Sequence, residues 1–287
     1  ISSFSNVMAD PAILNPFAIT KPFPQDKFGI AQLNPSIHPA GDWYAQWRKH
    51  RIFKKSSVKD VGDKRAISRG VGTLTIGDGE LVMDGASPRY YISAPAGGWL
   101  NTEATVYCRV DSYTSPASSA IAIITRTNHH LYTSDPCAAR GYYARVYFDS
   151  GRIQVKKEFR HDSDNRVIYS DGVNAPIGIS VKFNMTKKYL GIKSIVRTNP
   201  DQRSVNLRIY CDFSEGKHGG EWQLMLEYND ARLKSRYPTD CVYGDAIDQS
   251  GGDSAPVLRP GQVTIIRSDA VHGVHLRHAS VREIQPL

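Results

Sequence analysis

An all-β chain folded as a two-sheet antiparallel sandwich is what this sequence predicts, and three observations carry that prediction. From Gly72 onward, short runs of alternating apolar and polar residues succeed one another, each bounded by Gly, Pro, Asn or Asp. Helical periodicity is weak everywhere, apart from one short helical turn expected over 229–235. No repeat of fixed period runs through the chain, which argues for a jelly roll rather than a propeller. The 287 residues, 40% hydrophobic and 22% charged, suit one globular domain large enough to bury its own core.

Residues 1–70 are rich in Pro, Asn and Lys and lack a sustained period, so they are expected to form an extended arm wrapped on the domain. Trp43, Tyr44 and Trp47 are its expected anchors. The jelly roll itself is assigned to 71–287, with strands expected at 73–76, 81–83, 89–93, 101–110, 120–127, 177–184, 189–197, 204–212, 221–228, 263–267 and 274–284. In this architecture one sheet curves, and its concave face offers a groove to an extended polymer.

The most informative segment is 141–161, GYYARVYFDSGRIQVKKEFRH, which reads as a single β-hairpin turning at Ser150-Gly151. That turn would pair Phe148 with Ile153, Val146 with Val155 and Tyr142 with Phe159 on the apolar face. The opposite face would carry Tyr143, Arg145, Tyr147, Gln154, Lys156, Glu158 and Arg160. Core packing has no use for that array of phenols and cations. A bulge shifting the second strand by one residue would bring in Lys157 and His161 instead.

A formal charge of +8 favours a polyanionic partner, although charge alone does not choose among acidic polysaccharide, nucleic acid and membrane surface. The basic and aromatic stripe is too short to favour nucleic acid. No run approaches the roughly 18 apolar residues that span a bilayer as a helix. Four cysteines lack CxxC spacing, which excludes a common structural zinc site; Cys137 and Cys241 fall in loops where a disulfide is useful. The expectation is a secreted, monomeric protein.

Two ways of cleaving a polysaccharide demand different residues. Hydrolysis needs two carboxyl groups across the scissile bond, and no closely spaced glutamate pair is present. β-Elimination at a uronate needs a cationic or amide neutraliser for the carboxylate, a base for the C5 proton and an acid for the leaving oxygen. Alternation places Arg126, Asn128 and His130 on one face of their strand, and Glu103 on a face of another. The histidines at 272, 275 and 278 lie three apart, which on a strand points successive ones to opposite faces, so no metal is assigned there.

The motifs resemble those of the jelly-roll polysaccharide lyases that act on alginate and glucuronan, proteins of concanavalin A-like sandwich fold. Asn101-Thr102-Glu103-Ala104-Thr105 is similar to their R(S/T)ELR strand with both arginines replaced. Asn128-His129-His130 is similar to their QIH strand, and Tyr143 to Tyr147 to their YxKxGxYxQ strand with Arg145 for the lysine. The resemblance implies Arg126 and Asn128 as neutralisers, His130 as base, and Tyr143 or Tyr147 as acid. Glu103, Arg145, Gln154, Lys156, Lys157, Glu158, Arg160 and His161 would bind substrate. No cofactor would be required, and a structural calcium ion would be compatible with the fold. The competing reading is a non-catalytic carbohydrate-binding module or a glycoside hydrolase on the same scaffold.

Overall fold

The computed structural model describes residues 23–54, 57–113, 118–129, 131, 135–161, 167–176, 178–234, 236 and 255–287. In chain order the strands are β1 (Phe23–Gln25), β2 (Ala31–Gln32), β3 (Trp43–Tyr44), β4 (Arg51–Phe53), β5 (Val58–Lys59), β6 (Ala66–Gly77), β7 (Glu80–Ser93), β8 (Thr102–Tyr113), β9 (Ala120–Thr127), β10 (Gly141–Tyr147), β11 (Ile153–His161), β12 (Val167–Tyr169), β13 (Val173–Asn174), β14 (Leu190–Thr198), β15 (Val205–Asp212), β16 (Trp222–Asp230), β17 (Val263–Asp269) and β18 (Val271–Glu283). Every strand pairing is antiparallel.

One ribbon makes two layers out of this chain. The first half of β7, around Leu81 to Gly85, pairs with β18, whereas its second half, Arg89 to Ser93, pairs with β17. The first layer therefore runs β12-β11-β10-β9-β17-β7, and the second runs β7-β18-β8-β14-β15-β16. Between the two halves, β6 and β7 slip in register at Val71/Thr73. Gly72 and Gly85 face each other there with φ of +145° and +127°, and a Cβ on Gly85 would lie 2.6 Å from the Gly72 Cα. Only glycine lets the two backbones approach that closely at the corner.

Apolar side chains on alternate positions of both layers meet in one core. Ile121 and Ile123, Tyr142, Ala144 and Val146, and Ile153 and Val155 face Val106, Ile192, Val196, Leu207 and Ile209. A buried ion pair crosses the same interior: Lys157 Nζ donates to Asp230 Oδ2 at 2.8 Å and to the Ala255 carbonyl at 3.1 Å. Asp230 Oδ2 also accepts from the Tyr142 hydroxyl at 2.6 Å. Burial lowers the Lys157 ammonium to about 8, against the pull of Asp230. Lys157 is thus a core residue and not part of a substrate surface, because the interior carboxylate is its partner.

The described part of the arm is woven into the sandwich. β3 pairs with β18, and β4 and β5 pair with β6, whose first residue, Ala66, precedes the expected boundary at 70. Trp43 and Trp47 pack in the core against Tyr90, and Trp43 Nε1 donates to Asp63 at 2.6 Å. Residues 28–34 cover the outer face of the second layer, where Phe28, Ile30, Ala31 and Leu33 meet Tyr107, Ile195, Tyr210 and Trp222.

Beneath that cover Glu103 is fully buried. Its carboxylate accepts from the Leu33 and Asn34 amides and lies 2.6 Å from Arg282 and 3.2 Å from Lys193. Burial alone would raise its pKa, but Lys193 and Arg282 outweigh it and hold the carboxyl below the ordinary glutamate range. Glu103 therefore clamps the arm rather than binding substrate. Its strand also lies in the layer opposite the hairpin, so the R(S/T)ELR-like segment and the other two motif-like segments do not share a face.

Three further expectations are corrected. The hairpin turns through 148–151 rather than two residues, pairing Val146 with Ile153 and Ala144 with Val155; the shift is even, so both faces keep their residues. The described residues of 177–184 form no strand, and β16 runs on to Asp230 with no helix among the described residues up to 236. Of the cysteines, Cys108 and Cys211 are buried free thiols and Cys137 is disulfide-bonded; Cys241 lies outside the described residues.

Two stability predictions follow from these buried charges. Lys157→Met leaves the Asp230 carboxylate without its cation and should cost about 3–5 kcal/mol in denaturant unfolding; an unchanged midpoint would show that the pair contributes nothing. Because Glu103 is depressed in the folded state, its clamp is complete above the unfolded glutamate value of about 4.3 and is lost as pH falls through the lower folded value. Limited proteolysis of the arm should accordingly accelerate below about pH 4, and Glu103→Ala should bring the same cleavage to neutral pH.

Candidate functional site

The outer face of the first layer holds the polar side of the hairpin and continues across β9, β17, β7 and β6. Strand register sets its rows. One row runs Arg69, Arg89, Arg267, Ala122, Arg145, Gln154 and Asn174 across successive strands. The next runs Ile67, Tyr91, Ile265, Ile124, Tyr143 and Lys156. Four guanidinium groups and one ammonium therefore border a small apolar floor built from Ala122, Ile124, Val263 and Ile265.

The cations are unevenly neutralised. Asp269 bridges two of them, accepting from Arg145 at 2.9 Å and from Arg267 at 2.7 Å. Arg69 and Arg89, directly paired across β6 and β7, have no carboxylate within ion-pair range among the described residues. Each also has a buried Nε without a hydrogen-bond partner, and Arg69 lies over the Tyr91 ring at 5.4 Å. Like charges directly opposite on neighbouring strands destabilise a sheet. An anion lying across them would remove that cost.

Beside the arginines sits a chain of hydrogen bonds. Tyr91 OH meets His129 Nδ1 at 2.8 Å, His129 Nε2 meets His161 Nδ1 at 2.8 Å, and His161 Nδ1 meets Glu158 Oε1 at 3.0 Å. The other carboxylate oxygen of Glu158 accepts from the Tyr143 hydroxyl. Tyr169 packs edge-on against Tyr143 at 5.5 Å between ring centres. Tyr91, His129 and Tyr143 are only 1%, 1% and 3% exposed, so the chain lies beneath the half-buried arginines.

Two backbone irregularities assemble this cluster. Arg126 adopts φ of +51°, and β9 slips against β17 there, so the residues beyond it leave simple alternation and His129 comes round to Tyr91. A second slip, between Glu158 and Arg160 where β11 meets β12, lets His161 turn to the same side as Glu158. Arg160 is half-buried beside that slip.

The protonation pattern follows from burial and charge. Burial would raise Glu158, but His129, His161 and Tyr143 outweigh it and hold the carboxylate down at about 2. Burial lowers His129 despite the pull of Glu158, leaving it a neutral imidazole. Burial pushes Tyr91 up to about 12 against the influence of Arg89, and burial together with Glu158 raises Tyr143 further. The set is thus an ionised carboxylate, a neutral imidazole and two phenols that keep their protons, framed by arginines.

Several expected site residues stand elsewhere. Arg126 points inward and is buried, its guanidinium donating to the carbonyls of Leu100 and Val257 and to Asn101 and Thr198, so it is not presented to a substrate carboxylate on the outer face. Asn128 accepts from the Gln262 amide and ties two loops together. His130 lies outside the described residues, and its neighbour His129 occupies the cluster. Tyr147 stands between Arg145 and Arg152 and donates to Gln154, which in turn holds Asn174, so this part of the hairpin face is closed on itself.

Tyr143, Arg145, Lys156, Glu158 and His161 do share the face. Tyr91, His129, Arg69, Arg89 and Arg267 were missed. Alternation within 89–93 and 263–267 would have put Arg89 with Tyr91 and Arg267 with Ile265, but only the strand order shows that these rows adjoin the hairpin.

A separate cavity of about 650 Å³ opens between 37–41, 95–100, Pro260 and Glu283. Its carboxylate is engaged by the Leu100 and Asn101 amides, which fix the loop between β7 and β8.

No protein-family model and no curated protein sequence matches the chain. Among solved structures it is similar to the Ca2+-bound exoplasmic/lumenal domain of VIP36, at 10% identity and a TM-score of 0.46, over 82% of this chain and 90% of that one. A legume lectin-like domain from Entamoeba histolytica gives 10% identity and 0.45, over 77% and 91%. An endo-1,3-beta-glucanase from Streptomyces sioyaensis gives 6% and 0.41, over 85% and 98%. Likeness at these values carries no argument about function; the sandwich is established by its own strands.

If the Tyr91 to Glu158 chain orients the imidazole, Tyr91→Phe should leave the fold intact while shifting the His129 ring resonances in NMR spectra. Unshifted resonances would show that the contact has no influence.

Proposed function

We propose that the outer face of the first layer binds a uronate-bearing polysaccharide and cleaves it by β-elimination, in an extracellular setting. The observation that carries this reading is the row Arg69, Arg89 and Arg267, three guanidinium groups on adjacent strands with Asp269 the carboxylate tied to one of them. Arginine pairs with carboxylate through two parallel hydrogen bonds, which suits repeated uronate groups better than a point charge does.

The chemistry beside the row fits elimination better than hydrolysis. Neutralising the uronate carboxylate acidifies the C5 proton; the Tyr91–His129 pair would accept it, and the Tyr143 phenol, which keeps its proton, would donate to the leaving O4 as the C4–C5 double bond forms. A hydrolase needs a carboxyl that holds a proton as general acid. Glu158 is held ionised, and Asp269 is clamped between two arginines.

Binding without turnover is the second reading, and one observation favours it. Tyr91, His129 and Tyr143 lie almost wholly out of solvent, so a polymer resting on the arginines would touch them only if it reached deeper.

Incubation with glucuronan, alginate and neutral glucans, followed through the ultraviolet absorbance of the unsaturated product, tests both. Turnover of a uronate polymer alone is expected, and retardation in affinity electrophoresis without absorbance would favour the binding reading. Arg89→Ala should weaken uronate binding roughly 10- to 100-fold, the loss of a charged hydrogen-bond pair, and raising the salt should do the same progressively. Equal affinity for neutral and acidic glycans would overturn the assignment of this face.

A further inference from the structure

We propose that His129 Nε2, His161 Nδ1 and Glu158 Oε1 form a binding site for a divalent transition-metal ion of the zinc kind. The three atoms lie close together, each within reach of a shared ion. Their separations are 2.8 Å between the two nitrogens, 3.0 Å from His161 to Glu158 and 3.4 Å from His129 to Glu158. Ligands on a tetrahedral zinc ion, at bond lengths of about 2.0–2.2 Å, stand roughly 3.3–3.5 Å apart. Seating the ion would require the edge between the two nitrogens to open by roughly 0.5–0.7 Å and the edge from His161 to Glu158 by roughly 0.3–0.5 Å, the third already being the right length.

Hydrogen bonding alone serves this triangle poorly. A neutral imidazole nitrogen either donates or accepts, and a carboxylate only accepts. If His161 Nδ1 carries the proton, it must divide it between His129 Nε2 and Glu158 Oε1. If His129 Nε2 carries it, His161 and Glu158 confront each other as acceptors. A cation serves all three at once.

The surroundings are those of a supported ligand set. His129 holds Tyr91 through its other ring nitrogen at 2.8 Å, and the second oxygen of Glu158 takes the Tyr143 hydroxyl, so both have partners that fix their orientation. Burial is deep, with His129 1% and Glu158 0% exposed. Two imidazoles with one carboxylate suit zinc, iron, cobalt or manganese rather than calcium, which takes oxygen ligands. Three protein ligands are found among the described residues, and a tetrahedral ion takes a fourth.

An ion on His129 Nε2 would also fix the proton on Nδ1, so that His129 donates to the Tyr91 oxygen. With Nδ1 protonated and Nε2 on the ion, His129 could not take the Tyr91 proton, so an occupied site would remove the Tyr91–His129 pair from the role of base in the proposed elimination. The metal site itself does not depend on that reaction, and its test uses no glycan.

Chelator-stripped protein is loaded with Zn2+, freed of excess by gel filtration and assayed by elemental analysis. Retention of about one equivalent per chain is expected, with a visible d–d spectrum when Co2+ replaces Zn2+. His161→Ala should weaken retention by at least about tenfold, while Tyr147→Phe, which touches none of the three ligands, should retain the ion. As a check that needs no variant, Zn2+ should raise the unfolding temperature of the stripped wild-type protein and Ca2+ at the same concentration should not. Absence of retained Zn2+ in the wild type, or equal retention in His161→Ala, would overturn the site.

Discussion

Strand β7 is hydrogen-bonded along both edges and belongs to two layers at once, and the rest of the molecule depends on that continuity. Its edge partners are β6 on one side and, on the other, first β18 and then β17. A strand that serves both sheets must bend without losing its ladder, which is why Gly72 and Gly85 meet where the register slips. From that corner the two layers close over a shared core, and their outer faces are left to different fates. One outer face is roofed by the arm; the other carries the arginine rows and the histidine cluster.

Both outer faces hold charge away from water, and the costs are offset in different ways. On the second layer Glu103 draws together Lys193, Arg282 and two arm amides, so each buried charge has partners within hydrogen-bond range. Such a network contributes position more than net stability, since desolvation consumes most of the attraction. On the first layer the balance is incomplete, with Arg69 against Arg89 and no carboxylate within ion-pair range of either among the described residues. Incomplete satisfaction on a face otherwise built with care is where an anionic ligand has most to contribute.

The hairpin shows how far alternation carries and where it stops. Its two faces were legible because side chains in a strand alternate, and an error of two residues in the register does not exchange them. The same rule failed at Arg126 and near Phe159, where one extra residue turns the following side chains over. His129 reaches the cluster for that reason and His161 comes out to Glu158, while Lys157, which precedes the slip, stays on the apolar side where alternation puts it and meets Asp230 in the core. Bulges leave little trace in local composition, so neither was readable from the flanking residues.

The sequence by itself determined an all-β sandwich, the apolar and polar sides of its central hairpin and a surplus of positive charge, because each follows from local periodicity or simple counting. The tertiary structure alone decided which strands are neighbours. Arg69 and Arg89 face each other across consecutive strands, but Arg267, far along the chain, joins their row only when β17 pairs with β7. Tyr91, His129, Glu158 and His161 become one cluster only when two bulges aim them at a common point. Long-range pairing and bulge placement are set by how the whole core packs, and no window of sequence contains that information.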